Sequence, residues 1–265
     1  MLQIRNVCKT FNKGTPNQKQ ALGDFSLHLK SGDFVTVIGG NGAGKSTLLN
    51  TISGLFWVDG GQILLDGEDI TYQKQHRRSR HMGRLFQDPL MGSAPNMTIE
   101  ENLSLAYLRS RQNRRFSFGP RKEDLQLYRE KLALLNLGLE DRLHTKMGLL
   151  SGGQRQAVTL LMATIVTPKL LMLDEHTAAL DPATADKVLE LTRSIVAENK
   201  ITTLMVTHNI GSALELGNRT IMLDNGNLVL ELEGEARREM TVEKLLKKFK
   251  EKSNKELDND RMLLN

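Results

Sequence analysis

The sequence predicts an α/β fold whose core is a mainly parallel β-sheet. Several short apolar runs, rich in β-branched residues, lack the alternation of a half-exposed strand, which is the pattern of strands buried on both faces. Helical stretches separate these runs, and that order favours parallel strands joined by helical crossovers. The length of 265 residues and the 39% hydrophobic content suit one large domain or two closely joined lobes.

The predicted elements follow in order along the chain. The run 34–38 is apolar and ends in glycines, so it is predicted as a buried strand, and 45–52 is predicted as the helix after it. A second strand, 62–65, precedes an Asp-Gly turn, and a hairpin-type turn lies at 224–227. The other predicted strands are 170–173, 202–206, 220–223 and 228–230.

The middle of the chain and its C-terminal part are predicted to be helical. Between 98 and 166 the apolar spacing is that of helices, with little strand. Inside this stretch, 109–122 is basic and irregular and is predicted as an exposed loop, either a solvated connector or a contact for lipid phosphates. In 242–249 the apolar residues recur at helical spacing, which predicts a docking helix followed by a polar tail.

Composition and charge restrict the class of protein. A net charge of +5 fits simple solubility, an anionic nucleotide ligand or a position near an anionic membrane face. The one cysteine, Cys8, excludes an intrachain disulfide and favours a reducing cytoplasm. Residues 1–7 lack the pattern of a signal peptide, and no apolar run has the roughly 18 residues that a spanning helix needs. We therefore expect a cytoplasmic protein that does not itself cross a membrane.

Residues 39–46, Gly-Gly-Asn-Gly-Ala-Gly-Lys-Ser, match the phosphate-binding pattern G-x-x-x-x-G-K-[ST] between a predicted strand and a predicted helix. Glycines let successive N–H groups surround phosphate oxygens, and the helix N-terminus adds a partial positive charge. Lys45 is expected to contact the β- and γ-phosphates, Ser46 to offer its hydroxyl to Mg²⁺, and Thr47 to bind a phosphate nearer the sugar. The predicted nucleotide contacts of this loop are Gly39, Asn41, Gly42, Ala43, Gly44, Lys45, Ser46 and Thr47.

Three further polar residues follow predicted buried strands. Asp174 and Glu175 come directly after 170–173, where a carboxylate can hold the water shell of Mg²⁺. Glu175 is placed to orient or deprotonate an attacking water. His208 follows 202–206 and is interpreted as aimed at the γ-phosphate.

Residues 150–156, Leu-Ser-Gly-Gly-Gln-Arg-Gln, complete an ordered set of motifs. The order is phosphate loop, Leu-Ser-Gly-Gly-Gln, strand-Asp-Glu, Ala-Leu-Asp and strand-His, and on it the chain resembles the ATP-binding-cassette (ABC) ATPases over about 2–230. The resemblance implies a P-loop NTPase (RecA-like) core, an N-terminal antiparallel β region and an inserted α-helical lobe. The implied bounds within a single ATPase domain, 1–265, are 1–88 and 164–235 for the core, 89–163 for the helical lobe and 240–265 for the C-terminal helix and tail.

The signature residues form a second anion site. Ser151, Gly152 and Gly153 precede a helical run, so they too lie at a helix N-terminus. The resemblance implies a head-to-tail homodimer in which these residues and Gln154 serve the ATP held by the phosphate loop of the partner. Two ATP molecules then hold the dimer closed, and hydrolysis opens it because ADP lacks the γ-phosphate contacts.

Other roles are implied residue by residue. Phe11 matches the aromatic that stacks on adenine, usually a Tyr, and is otherwise a core residue; Gln87 matches a glutamine that senses Mg²⁺ and the γ-phosphate, and is otherwise a surface residue. Asp181 matches a loop that communicates across the dimer, and is otherwise a helix cap. Gly40 and His176 stand where the family usually has Pro. The implied catalytic residues are Lys45, Gln87, Glu175 and His208, and the implied Mg²⁺ contacts are Ser46, Gln87 and Asp174.

The chain resembles a transporter subunit more than other ABC proteins. Members that act on ribosomes usually carry two cassettes, and members that repair DNA insert long coiled coils, whereas only 64 positions separate Gln87 from Ser151 here. A regulatory cassette that does not hydrolyse ATP is expected to have lost Lys45 or Glu175, and both are present. We therefore expect partners in a membrane and no nucleic acid.

The direction of transport is inferred from resemblance alone. An isolated ATPase without a fused membrane domain resembles a bacterial uptake system, and an exporter is the alternative. The run 174–182 resembles a group of importers that pair with an amino-acid-type permease and an extracytoplasmic solute-binding lipoprotein, with aromatic amino acids as a suggested cargo. The resemblance implies a peripheral position on the inner face of the cell membrane through that permease.

Overall fold

The computed structural model describes residues 1–109 and 120–253. These residues divide into two compact units, each of which is considered by itself. The first comprises Met1–Arg78 and the described residues from Ile201 onward, and the second comprises Ser79–Lys200. The lobe boundaries that the resemblance implies differ from these unit boundaries and stay a prediction.

The regular elements are numbered in chain order. The strands are β1 Leu2–Phe11, β2 Lys19–Leu29, β3 Phe34–Ile38, β4 Gly60–Leu65, β5 Glu68–Asp69, β6 Met82–Leu85, β7 Leu170–Asp174, β8 Thr202–Val206, β9 Arg219–Asp224 and β10 Asn227–Glu233. The α-helices are α1 Lys45–Ser53, α2 Gln75–Arg78, α3 Ile99–Arg109, α4 Lys122–Ala133, α5 Gly152–Thr164, α6 Pro182–Asn199, α7 Ile210–Glu215, α8 Gly234–Arg238 and α9 Val242–Ser253. Short 3-10 turns lie at Pro89–Gly92 and Met147–Leu149.

The first unit contains two groups of strands. An antiparallel sheet has the order β2-β1-β4-β5, so the implied N-terminal antiparallel region is confirmed. In the other group, β3 lies between β8 and β9 and is parallel to both, while β10 pairs antiparallel with β9. Every residue of β3 is buried, as its unbroken apolar run predicts. The predicted turn at 224–227 joins β9 and β10, and Asn225 and Gly226 both have positive φ.

A buried arginine fixes the end of the helix that follows β3. Helix α1 ends at Ser53 and is capped by Gly54, whose φ of 80° is left-handed. The guanidinium of Arg78 donates to the carbonyls of Thr51 and Ile52 in the last turn and to that of Thr71. Burial lowers the pKa of Arg78 to about 10, which leaves it charged at neutral pH. The cation therefore satisfies carbonyl groups that the helix end leaves open.

Helix α9 packs against the core of the first unit through its apolar face. Leu245 and Phe249 are buried in a cluster with residues of β3, α7, β9 and β10, and Val242 and Leu246 pack partly buried against it. The apolar spacing in 242–249 therefore predicts the observed docking helix correctly.

The second unit has a parallel strand pair and is otherwise largely helical. Strands β6 and β7 pair in parallel, with Leu85 beside Leu173. Helices α3, α4 and α5 share a core, which confirms the helical prediction for the described part of 98–166. The buried members of this core include Ile99, Leu103, Tyr128, Leu132, Leu139, Val158 and Leu161. Most of the basic stretch 109–122 lies outside the described residues, so the prediction of an exposed loop there stays a prediction. Among the described residues, no helix combines the length and the apolar character that crossing a bilayer takes.

Candidate active site

The phosphate-binding pattern forms the turn between β3 and α1. The strand ends at Ile38 and the helix begins at Lys45, with Gly44 as its N-cap at a left-handed φ of 105°. A Cβ atom at Gly44 would lie 2.5 Å from the carbonyl oxygen of Ala21, so both the dihedral and the close approach of β2 require glycine. The fold therefore sets the loop against the antiparallel sheet at this point.

Lys45 is folded into the loop that it closes. Its Nζ donates to the carbonyls of Gly39 over 2.7 Å and Gly40 over 3.1 Å, and the residue is 6% exposed. Ser46 is exposed and Thr47 half-buried in the first turn of α1. The loop thus places a charged donor, two hydroxyls and the amide groups of a helix N-terminus within a few residues. These are the groups that bind phosphate in proteins.

His208 leaves the sheet at the same edge as the phosphate loop. Strands β3 and β8 run parallel with Val37 beside Val206, and the N–H of Thr207 donates to the carbonyl of Val37 over 3.1 Å. Because parallel strands end at one edge, the residues that follow them are neighbours. His208 is half-buried there.

Phe11 lies at the end of β1 and is half-exposed, so it is not a core residue. Its ring meets the ring of Phe56 edge to face at 5.3 Å, and Nζ of Lys9 lies 5.4 Å from its centroid. Across the strand pair it faces Lys19, whose ammonium would be 2.9 Å from a Cβ atom at Gly42 of the phosphate loop. Phe11 therefore pairs with β2, the strand that borders the loop. Phe56 and Lys19 were not predicted, because only the pairing of β1 with β2 and the ring contact reveal them.

In the second unit, Gln87 and the acidic pair also share one sheet edge. Strands β6 and β7 are parallel, and Leu85 pairs with Leu173. Gln87 follows the first strand and is exposed, while Asp174 ends the second and Glu175 follows it, both half-buried. The parallel pairing brings these predicted residues to a common edge, although Gln87 and Asp174 lie 87 positions apart in sequence.

Sequence reasoning missed the arginine beside Asp174. Nη2 of Arg84 lies 3.2 Å from Oδ2 of Asp174, and the two side chains are 11% and 14% exposed. Burial lowers the pKa of Arg84, and the charge of Asp174 opposes that shift. A charged residue in the apolar run Met82–Leu85 is the available signal, because a buried cation needs a counter-ion.

The residues after Asp174 have unusual backbone and burial. Glu175 adopts a left-handed φ of 47°, which costs a side-chain-bearing residue about 1–2 kcal/mol, and its carbonyl accepts from the N–H of Ala178. His176 is 2% exposed, and its Nε2 lies 3.3 Å from the hydroxyl of Thr192 in α6. Burial lowers the pKa of His176 to about 4, so the ring is neutral at physiological pH. His176 therefore fills the interior toward α6 and does not face solvent beside Glu175.

The signature forms the N-terminus of α5. Ser151 and Gln154 make a capping box, in which each side chain accepts from the backbone N–H of the other. A Cβ atom at Gly153 would lie 2.1 Å from Cγ2 of Thr184, whose own N–H donates to the Asp181 side chain over 3.1 Å. Hydrogen bonds from the Thr184 side chain and from its backbone N–H lower the pKa of the Asp181 carboxyl. The signature and the Ala-Leu-Asp loop therefore pack together, and Asp181 is a helix cap whatever its further role.

The side chains of the second unit combine an anion site with a carboxylate site. The N-terminus of α5, exposed at Ser151 and Gly152, is suited to a phosphate group. Asp174 and Glu175 are suited to a hydrated cation and to a water nucleophile. Within residues 1–109 and 120–253, no group of three or more His, Cys, Asp and Glu side chains could hold a metal ion by itself.

Known proteins resemble this chain over most of its length. The family model described as ABC transporter matches residues 22–178. The tyrosine transport ATP-binding protein of Clostridioides difficile (strain R20291) is 44% identical over 250 residues, which cover 94% of this chain and 98% of that one. The glutamine transport ATP-binding protein GlnQ of Escherichia coli (strain K12) is 35% identical over 231 residues, which cover 86% and 89% of the two chains.

Solved structures match the fold. A dimeric, post-hydrolysis state of the ATP-binding cassette MJ0796 with ADP and Pi has a TM-score of 0.75 and 30% identity, and the match covers 88% of this chain and 98% of that one. A nucleotide-free ATP-binding cassette from an ABC transporter has a TM-score of 0.74 and 26% identity, over 96% and 95% of the two chains. The chain belongs to the ABC transporter family and is one of its ATP-binding, ATP-hydrolysing cassettes.

Proposed function

We propose that the chain is the ATPase subunit of an importer for a small solute such as an amino acid. The observation that carries the proposal is the 44% identity to a tyrosine transport ATP-binding protein over 98% of that protein. The similarity to a glutamine transport protein favours the same class of cargo. Aromatic amino acids are the cargo proposed first, and the permease and its binding protein select it.

In the proposed ATPase, the first unit binds the nucleotide. Phe11 stacks on adenine, and the ring of Phe56 packs against it in an edge-to-face contact. The phosphate loop surrounds the β-phosphate, and the ammonium of Lys45 exchanges the carbonyls of Gly39 and Gly40 for phosphate oxygens. This exchange is favourable because a charged donor gains charged acceptors. Thr47 binds a phosphate nearer the sugar.

Hydrolysis in this proposal is a direct attack of water on the γ-phosphorus. Glu175 accepts a proton from the water as its oxygen bonds to phosphorus, and the bond to the β–γ bridging oxygen breaks to release ADP and phosphate. Gln87 senses the γ-phosphate, and His208 donates to a γ-phosphate oxygen. Lys45 stabilises the negative charge that develops on the phosphates.

Mg²⁺ is the metal proposed for this reaction. When bound, it supplies positive charge to the β- and γ-phosphate oxygens. The exposed hydroxyl of Ser46 and the half-buried carboxylate of Asp174 are oxygen donors of the kind that Mg²⁺ takes together with phosphates and water. The side-chain amide oxygen of Gln87 is the third proposed contact to the ion.

The proposed active form is a head-to-tail homodimer around two ATP molecules. A dimeric cassette with ADP and Pi among the similar structures supports this assembly. Ser151, Gly152 and Gly153 of one copy then bind the γ-phosphate of the ATP held by the other. Because ADP lacks that phosphate, it does not hold the dimer closed. Hydrolysis therefore opens the dimer, since ATP stabilises the closed form and ADP does not.

The opening and closing drive a separate permease in the membrane. The names of the transport ATP-binding relatives support such a partner, and an extracytoplasmic solute-binding protein completes the proposed importer. The chain then lies on the inner face of the membrane, with the region of Gln87 toward the permease. We expect no nucleic acid among its partners.

Purification from the native cell tests the proposed function. The tagged chain, extracted in mild detergent, is expected to bring down a multi-span permease. That complex and its binding protein, reconstituted in liposomes with ATP inside, should accumulate labelled tyrosine, and the same complex with Glu175→Gln should not. Ribosomal or DNA-repair proteins in place of a permease would contradict the transporter function. ATP-dependent uptake of another amino acid would contradict the cargo alone, and export would contradict the direction.

A further inference from the structure

The ion pair between Arg84 and Asp174 is built by the tertiary fold. The two residues lie 90 positions apart, and the parallel pairing of β6 with β7 brings them together. Nη2 of the arginine donates to Oδ2 of the carboxylate over 3.2 Å, with both side chains largely removed from solvent. An ion pair in such surroundings is screened less than one on the surface.

The same guanidinium also contacts the segment that leads to Gln87. Its central carbon lies 4.6 Å from the centroid of the Phe86 ring, within the range of a cation–π contact. Phe86 immediately precedes Gln87. The guanidinium that pairs with Asp174 therefore also contacts the ring of the residue directly before Gln87.

The charge of Arg84 bears on any divalent cation that Asp174 binds. A guanidinium on one carboxylate oxygen offsets the negative charge that attracts the ion, and two cations beside one carboxylate repel each other. At the same time, the hydrogen bond from the guanidinium restricts the orientation of the carboxylate. The arginine therefore lowers the affinity of Asp174 for the cation and at the same time fixes the orientation of the carboxylate.

We propose that Arg84 is a positioning residue that acts through Asp174 and sets the Mg²⁺ concentration that the ATPase requires. The inference rests on the proposed function, which assigns Asp174 to Mg²⁺. Removing the cation lowers the half-saturating Mg²⁺ concentration about tenfold, equivalent to about 1.4 kcal/mol. Affinity for ATP without Mg²⁺ does not rise, because without the ion the uncompensated carboxylate repels the phosphates.

Fluorescent-nucleotide binding to the full chain tests this inference. Binding of N-methylanthraniloyl-ATP is measured in EDTA and then during a Mg²⁺ titration, for the wild type and for Arg84→Gln, Arg84→Met and Arg84→Lys. Two neutral variants are used so that the test still stands if one of them does not fold. Thermal unfolding shows whether each variant is folded. Arg80→Gln removes the same charge from an exposed position four residues earlier and serves as the matched control.

The expected result is a half-saturating Mg²⁺ concentration about tenfold lower in the neutral variants, with Arg84→Lys and Arg80→Gln close to the wild type. An unchanged or higher Mg²⁺ requirement in a folded neutral variant overturns the inference. So does an equal change in EDTA, because that would mean general damage to the nucleotide site. If ATP binding by the wild type itself shows no dependence on Mg²⁺, the proposed role of Asp174 as a Mg²⁺ contact is contradicted as well. This outcome distinguishes a failure of the proposed metal site from a failure of the role of Arg84 alone.

Discussion

The buried imidazole of His176 makes the stability of the second unit depend on pH. The residue is 2% exposed, and burial lowers its pKa from 6.5 to about 4. In the unfolded chain the ring lies in water and titrates near its ordinary value. Because the unfolded chain takes up this proton first, the stability is complete above pH 6.5 and decreases as the pH falls toward 4.

The magnitude follows from the two pKa values. The fall from 6.5 to about 4 is worth about 3 kcal/mol once the pH lies below both. At about pH 5 the unfolded imidazole is almost fully protonated and the folded one mostly neutral, so the expected loss is about 2 kcal/mol. His176→Gln keeps a polar group near Thr192 and cannot titrate, so it removes this contribution alone.

Urea unfolding at about pH 7.5 and about pH 5, followed by far-UV circular dichroism, measures the effect. Helical signal is preferred because the 18-residue helix α6 belongs to the second unit, whereas the one tryptophan, Trp57, lies in the first. The wild type should lose about 2 kcal/mol more than His176→Gln between the two pH values. Equal losses in the two proteins would refute the assignment of this pH dependence to His176.

Two further predictions concern contacts around the site. Gly153→Ala places a Cβ atom 2.1 Å from Cγ2 of Thr184 and should cost about 1–3 kcal/mol in urea unfolding. Thr184→Ser removes that methyl group and should restore the stability of the double variant; no restoration would mean that the clash lies elsewhere. Phe11→Ala should weaken ATP binding by about 1–3 kcal/mol in a fluorescent-nucleotide titration, the value of one base–aromatic stack. Tyr72→Ala, another exposed aromatic of the first unit, should leave the dissociation constant unchanged, and an equal effect of both variants would remove Phe11 from the adenine site.

Local patterns predict the parts of the fold that local physics determines. Buried strands such as β3 and β8 are visible as apolar runs, and α1 is visible because a glycine-rich loop precedes it. The hairpin at 224–227 and the stripe of α9 follow from turn chemistry and helical spacing, and the structure confirms both. The phosphate loop is predictable for the same reason, since its motif is contiguous.

Contacts between distant segments could not be predicted. The pair of Arg84 with Asp174 depends on which strands are neighbours, and the apposition of Gly153 and Thr184 depends on how α5 meets α6. The left-handed φ of Glu175 has no local signal, because glutamate has no preference for that conformation. The burial of His176 beside α6 also has no local signal in the sequence.

The central claim is that two copies of the chain close around ATP, with each signature serving the nucleotide of the other copy. The decisive measurement is sedimentation velocity of Glu175→Gln with Mg-ATP and with Mg-ADP, together with its hydrolysis rate. We expect an ATP-dependent dimer, monomer with ADP, and no turnover. Adding Ser151→Arg should abolish the dimer while the monomer still binds ATP. A variant that remains monomeric with ATP, or a Ser151→Arg chain that loses ATP affinity as a monomer, would contradict the account.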